Sequence, residues 1–274
     1  MNQPVEQKKP KIAQKKVEKK AVLPTNEGVK EAPNKVPKKR WWVTLLWIVA
    51  ILAWTFVAVF APQILIGVII GLTLPEGVLS SPLTNAIFSL LSYGITLVLL
   101  IVLPPMIFKN KIQPSTRERL GLRGLPTWTD IGLAPVGYVV TILIAAGLTA
   151  LFSLFPWFDS AQAQELGYGT YMMGWERVLA YILLAIVAPI AEELVFRGWL
   201  YGKLRITIPK WLAIILVSLL FGAIHLQWNV GLSVFALSVV NCLLREVTGT
   251  IYAGTLVHII QNSVAFYLVY IIGM

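Results

Sequence analysis

The sequence predicts an all-α fold: a polytopic bundle of about seven transmembrane helices with a cytoplasmic N-terminus. Of its 274 residues, 57% are hydrophobic and 13% are charged, whereas soluble domains usually carry about 25% charged residues. Several apolar runs reach the ~20 residues that a helix needs to cross a bilayer. The single cysteine, Cys242, excludes an intrachain disulfide and is expected to be a small core residue.

The net charge of +10 is concentrated at the N-terminus, where residues 1–40 hold twelve Lys or Arg and four Glu. This segment is rich in Lys, Glu and Pro and poor in aromatics, which predicts a disordered cytoplasmic tail. Its expected partners are anionic lipid headgroups. Nucleic acid is not an expected partner, because the tail has no aromatic side chains between its Lys and Arg residues that could stack on nucleobases. No convincing cleavage site follows the first apolar run, so this span should remain as an anchor.

The predicted spans fall into an N-terminal region, residues 41–155, and a core, residues 175–267. Pro62 interrupts the first apolar run, and residues 63–74 are too short to cross alone, which suggests a kinked continuation or a re-entrant piece. The second span should stop at Pro104-Pro105. The spans are 41–61, 83–103, 131–155, one beginning near 175, 211–227, 230–244 and 250–272.

The bases between the spans alternate as the positive-inside rule requires. The loops 75–82 and 156–174 contain no Lys or Arg, whereas the linker within 104–130 contains five: Lys109, Lys111, Arg117, Arg119 and Arg123. Bases also lie at 203–210 and at Arg245. We therefore expect a multi-pass plasma-membrane protein with its N-terminus inside and its C-terminus outside.

Two adjacent acids, Glu192 and Glu193, end a charge-free apolar run, where carboxylates are costly and usually functional. Consecutive helical residues diverge by about 100°, so the two side chains cannot share a direction. Glu193 precedes Arg197 by four residues, the favourable order for an intrahelical ion pair. Glu192 is then free to face a cavity, and Pro189 should kink the helix beside it.

Both histidines lie inside predicted spans. Glu192 precedes Pro209 by 17 residues and His225 follows it by 16, so an antiparallel helix pair turning at this proline brings the two to one level. His258 and Asn262 share a helical face at a compatible depth. Phe221, one turn before His225, could wall the site. Singly, each histidine could simply bridge helices, but together these residues indicate a site.

Three motifs in this order resemble the CPBP (CAAX-processing and bacteriocin-immunity, or Abi) family of intramembrane endopeptidases, including the type II CAAX prenyl proteases. They are Glu192-Glu193-x-x-x-Arg197, Phe221-x-x-x-His225 and His258-x-x-x-Asn262, flanked by APIAEELVFRG and REVTGTIYAGTLVHIIQN. The resemblance covers residues 175–267 and extends loosely to LGLRG at 120–124. It implies an all-helical membrane fold and peptide-bond hydrolysis. It also implies that Glu192 and His225 activate water and that His258 and Asn262 bind the oxyanion.

No cofactor is expected, although zinc stays possible because Glu192, His225 and His258 could supply three ligands. The sequence lacks H-E-x-x-H, and Asn262 suits an oxyanion donor better than a zinc ligand. The expected substrate is a membrane protein or lipid-linked peptide, in CAAX-type processing, bacteriocin maturation or self-immunity. A non-proteolytic binding or immunity scaffold and a proton-coupled transporter remain alternatives. Other polar residues in the spans, Asn85, Tyr93 and Asn241, are interpreted as packing or cavity residues.

Overall fold

A computed structural model describes residues 41–75, 78, 81–107, 117–160 and 174–273. Several parts of the chain lie outside the described residues: the predicted tail, half of the 75–82 loop, the beginning of the basic linker with Lys109 and Lys111, and residues 161–173. Within the described ranges the regular secondary structure is entirely helical, which confirms the predicted all-α class.

Seven long helices account for most of the described residues. They are α1 Trp41–Thr73, α2 Pro82–Ile107, α3 Trp128–Phe152, α4 Trp175–Arg205, α5 Lys210–Ala223, α6 Trp228–Thr248 and α7 Tyr252–Ile272. All except α5 are long and apolar enough to cross a membrane, and α5, with 14 residues, is about 21 Å long. Many large apolar side chains along these helices are exposed. The prediction of an integral membrane helical bundle is confirmed.

Pro62 does not divide α1, which runs unbroken for 33 residues. The re-entrant alternative for residues 63–74 was wrong, and the continuation was correct. A proline at position 62 cannot donate to the carbonyl of Ala58. That carbonyl instead accepts a hydrogen bond of 2.9 Å from the Thr96 hydroxyl of α2. The neighbouring helix therefore satisfies the backbone group that Pro62 leaves free, which a helix in hydrocarbon requires.

The pair Pro104-Pro105 does not end α2 either, contrary to the prediction. The helix widens into a π-helical turn over Val98–Val102 and continues as an α-helix over Leu103–Ile107. In a π-helix each N–H reaches one residue further back than in an α-helix. The helix therefore accommodates the two prolines with a change of hydrogen-bond register directly before them.

Helix α3 begins three residues earlier than predicted, because Thr127 and Asp130 form a capping box. The Thr127 hydroxyl accepts from the backbone of Asp130, and the Asp130 carboxylate accepts from the Thr127 backbone. Asp130 is buried and also accepts a 3.1 Å hydrogen bond from the Thr250 hydroxyl before α7. The basic linker therefore ends at Thr127, and the cap fixes α3 against the α6–α7 turn.

Helix α5 ends at Ala223 rather than at residue 227. His225 therefore lies in the α5–α6 turn, and the prediction that it lies inside a span was wrong. Gly222 and Gly231 allow the reversal. A Cβ on Gly222 would stand 2.8 Å from the Gly231 carbonyl oxygen, so only glycine permits this approach. Leu226 adopts a positive φ of 58° in the turn. The predicted ends of the sixth and seventh spans move by a few residues to those of α6 and α7.

Helix α6 packs against α3 and α5, and α7 packs against α3 and α4. The main apolar core includes the buried Phe196, Leu200, Val217 and Leu237, and Cys242 is buried within it as predicted. This packing sets α4 beside α7 and the α5–α6 turn, and these elements build the site.

Candidate functional site

The middle of α4 carries the two acids on one α-helical turn, Ala188–Glu193, between two π-helical segments, Ile182–Val187 and Leu194–Tyr201. Pro189 lacks the N–H that would bond to Ala185, and the widened turns lie on both sides of it. Short π-helical segments inside α-helices are frequently found at functional sites. The predicted divergence of the acids is observed, because the Glu192 side chain is 18% exposed and that of Glu193 is 0% exposed.

Glu193 is the centre of a buried polar cluster. Its Oε1 lies 2.9 Å from Arg197 Nη1, which confirms the predicted ion pair within α4. The same oxygen is 3.0 Å from His258 Nδ1 of α7 and accepts a 3.0 Å hydrogen bond from Asn241 Nδ2 of α6. The Arg197 guanidinium also lies 4.5 Å from the centre of the Phe221 ring. Glu193 therefore joins α4, α6 and α7.

Glu192 faces the other way and contacts a different set of helices. Its Oε1 accepts a 2.7 Å hydrogen bond from the Tyr93 hydroxyl of α2. Its Oε2 lies 3.7 Å from His258 Nε2, too far for a direct hydrogen bond. One carboxylate oxygen is thus fixed, and the other faces an imidazole across a short gap.

His225 is oriented by its own turn. Its Nδ1 is 2.8 Å from the Phe221 carbonyl oxygen, and since a carbonyl only accepts, Nδ1 carries the proton. In the neutral ring Nε2 is then an acceptor. The ring meets Phe221 edge-on at 5.1 Å. Phe221 is fully buried, so it packs beneath the two histidines and Arg197 rather than forming the cavity wall.

Glu192 and His225 line one cavity of about 210 Å³. The predicted common level, counted from Pro209, therefore holds even though His225 has left the helix. Helices α1 and α2 form the other walls of the cavity. Its other polar lining residues are Gln63, Ser89, Ser92, Tyr93 and Thr96.

The predicted oxyanion donors lie beside this cavity rather than on its wall. His258 reaches Glu192 only through Nε2, as given above. Asn262 Nδ2 donates a 2.9 Å hydrogen bond to the Leu184 carbonyl in the π-helical segment before Glu192. The shared face of α7 thus makes two contacts with α4, one at Glu193 and one at Leu184.

The donors present do not fit a metal site. Among the described residues, no three His, Cys, Asp or Glu side chains lie close enough together to hold an ion. No chemical step is therefore assigned to zinc.

Sequence reasoning gave no role in the site to Tyr93 and Asn241, which it assigned to packing or to a cavity. The structure brings Tyr93 to Glu192 and Asn241 to Glu193. Each is a polar residue in a predominantly apolar span, and that is the only signal the sequence offered, since no spacing rule links α2 or α6 to α4.

Residues 174–264 match the model of a protein family described as type II CAAX prenyl endopeptidase Rce1-like. The UPF0177 protein YbdI of Lactococcus lactis is 30% identical over 135 residues, which cover 48% of this chain and 70% of that protein. The chain belongs to the Rce1-like family. Its coarse assignment as an intramembrane protease of the CAAX type follows from this membership.

Another relative of this Rce1-like chain is the uncharacterized protein YpbD of Bacillus subtilis. It is 26% identical over 144 residues, which cover 51% of this chain and 71% of that protein. No solved structure matches the chain. The family match coincides with α4 to α7 and contains every predicted site residue.

Proposed function

We propose that this chain is an intramembrane endopeptidase in which Glu192 activates a water molecule for attack on a peptide bond. The observation that carries the proposal is the cavity shared by Glu192 and His225 inside a helical membrane bundle. A general base needs a fixed orientation and access to the reacting water. The Tyr93 hydroxyl supplies the orientation, and the 18% exposure of Glu192 the access.

In this mechanism Glu192 accepts a proton from water, and the hydroxide attacks the peptide carbonyl carbon. The proton then passes to the leaving amine as the C–N bond of the tetrahedral intermediate breaks, which completes the hydrolysis without a covalent bond between enzyme and substrate. His225 presents Nε2 as a second acceptor or, once protonated, as a donor at the same cavity. No described Ser or Cys contacts a base there, which favours water as the nucleophile.

His258 and Asn262 stay the proposed oxyanion donors. His258 Nε2 faces Glu192 Oε2 at 3.7 Å, so a protonated ring would direct an N–H towards the reacting atoms. The Asn262 amide has two N–H groups, of which the Leu184 carbonyl engages one. The other remains for an oxyanion. Loss of one such donor typically costs about 10²–10³ in rate.

The proposed substrate is a membrane protein or lipid-linked peptide that reaches the cavity from the cytoplasmic side of the plasma membrane. The family description names CAAX prenyl endopeptidases, so a CAAX-type C-terminus is one candidate substrate. Bacteriocin maturation and self-immunity are two further biological roles that the same peptide-bond hydrolysis would serve.

The test compares fragments of membrane proteins in cells with wild-type chain and with Glu192→Gln, followed by hydrolysis of the identified substrate by purified protein. We expect Glu192→Gln and His225→Ala to lower kcat at least about 100-fold, the usual contribution of general acid–base catalysis. Glu176→Gln is the matched control, because Glu176 lies on the same helix outside the cavity.

Thermal unfolding of each purified variant verifies that the fold is intact. Full activity of folded Glu192→Gln would refute the mechanism. Identical fragments in both cell lines, with a cellular phenotype that survives the substitution, would favour a scaffold. Activity that a chelator removes and zinc restores would revive the metal alternative.

A further inference from the structure

A second cavity, of about 450 Å³, lies at the end of the bundle where α4 and α6 finish. The segment before α3 forms its remaining side, and it shares no lining residue with the Glu192 cavity. The proposed hydrolysis makes no use of it. Its lining is strongly basic, with five Lys or Arg against two Glu: Arg119, Arg123, Lys203, Arg205, Arg245, Glu118 and Glu246.

Arg245 is held rigidly in this basic cavity. Its Nη2 donates to the Arg119 carbonyl at 2.7 Å and its Nη1 to the Gly198 carbonyl at 3.2 Å. The guanidinium lies 5.5 Å from the centre of the Tyr201 ring. A Cβ on Gly202 would stand 3.1 Å from the Arg119 oxygen and 3.2 Å from Arg245 Nη2, so a glycine keeps this space open.

The acids do not neutralise Lys203 and Arg123. Glu246 accepts from Arg205 Nε at 3.0 Å and from the Tyr201 hydroxyl at 2.9 Å, so its charge is engaged. Within the described part of the chain, no carboxylate lies within ion-pair distance of Lys203 or Arg123. A rigid cavity with uncompensated positive charge is suited to an anion that accepts several charge-assisted hydrogen bonds.

Exposed apolar side chains, one on the cavity rim and one at the start of α3, indicate the chemical source of the anion. Ile206 lines the cavity and is 83% exposed. At the start of α3, Trp128 is 86% exposed, and exposed tryptophans at helix ends are typical of the membrane–water interface. A ligand with a phosphate for the bases and an acyl chain for the apolar rim fits both features.

We propose that this basic cavity binds the phosphate of an anionic glycerophospholipid at the membrane interface. The phosphate oxygens accept from Arg245, Lys203 and Arg123, and the glycerol backbone passes Ile206 into the bilayer. This site lies within the folded bundle and is separate from the attraction expected of the basic segment 1–40.

The test measures binding of dioctanoyl phosphatidylglycerol to the full chain in a neutral detergent, by native mass spectrometry at fixed ionic strength. Dioctanoyl phosphatidylcholine and inorganic phosphate are the comparison probes. A basic residue near a membrane surface contributes about 1 kcal/mol, or about fivefold in affinity. We expect Lys203→Gln and Arg123→Gln each to weaken phosphatidylglycerol binding about fivefold, and the double variant about 25-fold.

Lys210→Gln is the matched control, because Lys210 lies at the same end of the bundle but outside the cavity. Segment 1–40 is present in every variant, so its contribution cancels. Arg123→Gln replaces an exposed side chain and keeps the test available if the double variant does not fold. Equal phosphatidylglycerol binding by wild type and Arg123→Gln would overturn the proposal. Equally tight binding of phosphatidylcholine or of inorganic phosphate would overturn the assignment to an anionic lipid.

Discussion

The two adjacent glutamates of α4 have opposite environments, and this difference gives Glu193 a structural role and leaves Glu192 for the proposed chemistry. Glu193 is fully buried and bound by a cation, a histidine and an amide. Glu192 is partly exposed, with one oxygen held and the other open to the cavity. A buried ion pair that loses one partner typically costs about 3–5 kcal/mol of stability. Inactivity of a Glu193 variant would therefore not identify a catalytic group, whereas inactivity of a folded Glu192 variant would.

Tyr93 is predicted to be a positioning residue for Glu192. Tyr93→Phe removes the hydroxyl that donates to Glu192 Oε1 at 2.7 Å and keeps the ring. A hydrogen bond to a charged group contributes about 1.5–3 kcal/mol, so we expect kcat to fall at least about tenfold. KM should stay unchanged, since the ring still fills the cavity wall. Steady-state kinetics on the identified substrate measure both.

The matched control for Tyr93 is Tyr181→Phe, which deletes a hydroxyl that contacts Ser263 Oγ at 3.1 Å, outside the cavity. A purely structural role for the Tyr93 hydroxyl would lower the thermal unfolding temperature without changing kcat. Unchanged kcat in folded Tyr93→Phe would exclude the positioning role.

At the scale of the helix, Pro62 was predicted to interrupt a span, Pro104-Pro105 to end one and Pro189 to kink one, and the structure places all of them inside continuous helices. Pro62 lies inside α1, Pro104-Pro105 inside α2 and Pro189 inside α4. The sequence marks where a backbone donor is lost. It does not mark how the helix responds, because the response is a hydrogen bond from another helix, as at Ala58, or a change of helical register nearby.

Thr96 and Pro62 are predicted to be energetically coupled. Thr96→Val leaves the buried Ala58 carbonyl without its 2.9 Å donor, at a cost of about 1 kcal/mol in the free energy of unfolding. In a Pro62→Ala background the backbone N–H at position 62 can bond to that carbonyl, so Thr96→Val should cost less than about 0.5 kcal/mol. Unfolding titrations of the four proteins of this double-mutant cycle measure the coupling.

A control for this cycle is Thr141→Val, whose hydroxyl bonds to Gly137 within α3 and has no relation to Pro62. Its cost should be the same in both backgrounds. Additive effects of Thr96→Val and Pro62→Ala would contradict the proposed replacement of the backbone donor.

At the scale of the whole molecule, the spacing of residues correctly predicted the contacts that lie within one helix or one helical hairpin. The pair Glu193–Arg197 follows from an i, i+4 spacing, and the common cavity of Glu192 and His225 follows from counting residues around Pro209. Contacts between helices distant in sequence did not follow. Tyr93 and Glu192 are 99 residues apart, and their contact depends on how α2 packs on α4.

The short length of α5 does not change the predicted sidedness of the other helices. The hairpin of α5 and α6 starts near Lys210 and ends near Gly249 at the same end of the bundle, so it adds two crossings or none. Either way, the positive-inside rule predicts the α4–α5 turn in the cytoplasm and the end of α3 outside. Helix α3 spans the membrane with 25 residues. It should therefore begin in the cytoplasm, after the basic linker, and end outside.

Labelling with a membrane-impermeant maleimide on intact cells tests this topology. Ile206→Cys lies in the α4–α5 turn and Leu154→Cys follows α3, with side chains 83% and 76% exposed. We expect Leu154→Cys to be labelled and Ile206→Cys to be labelled only after the cells are lysed. The native Cys242 is buried and provides the unlabelled background in both variants. The reverse labelling pattern would show that the bundle has the opposite orientation in the membrane. The Glu192 cavity would then receive substrates from outside the cell.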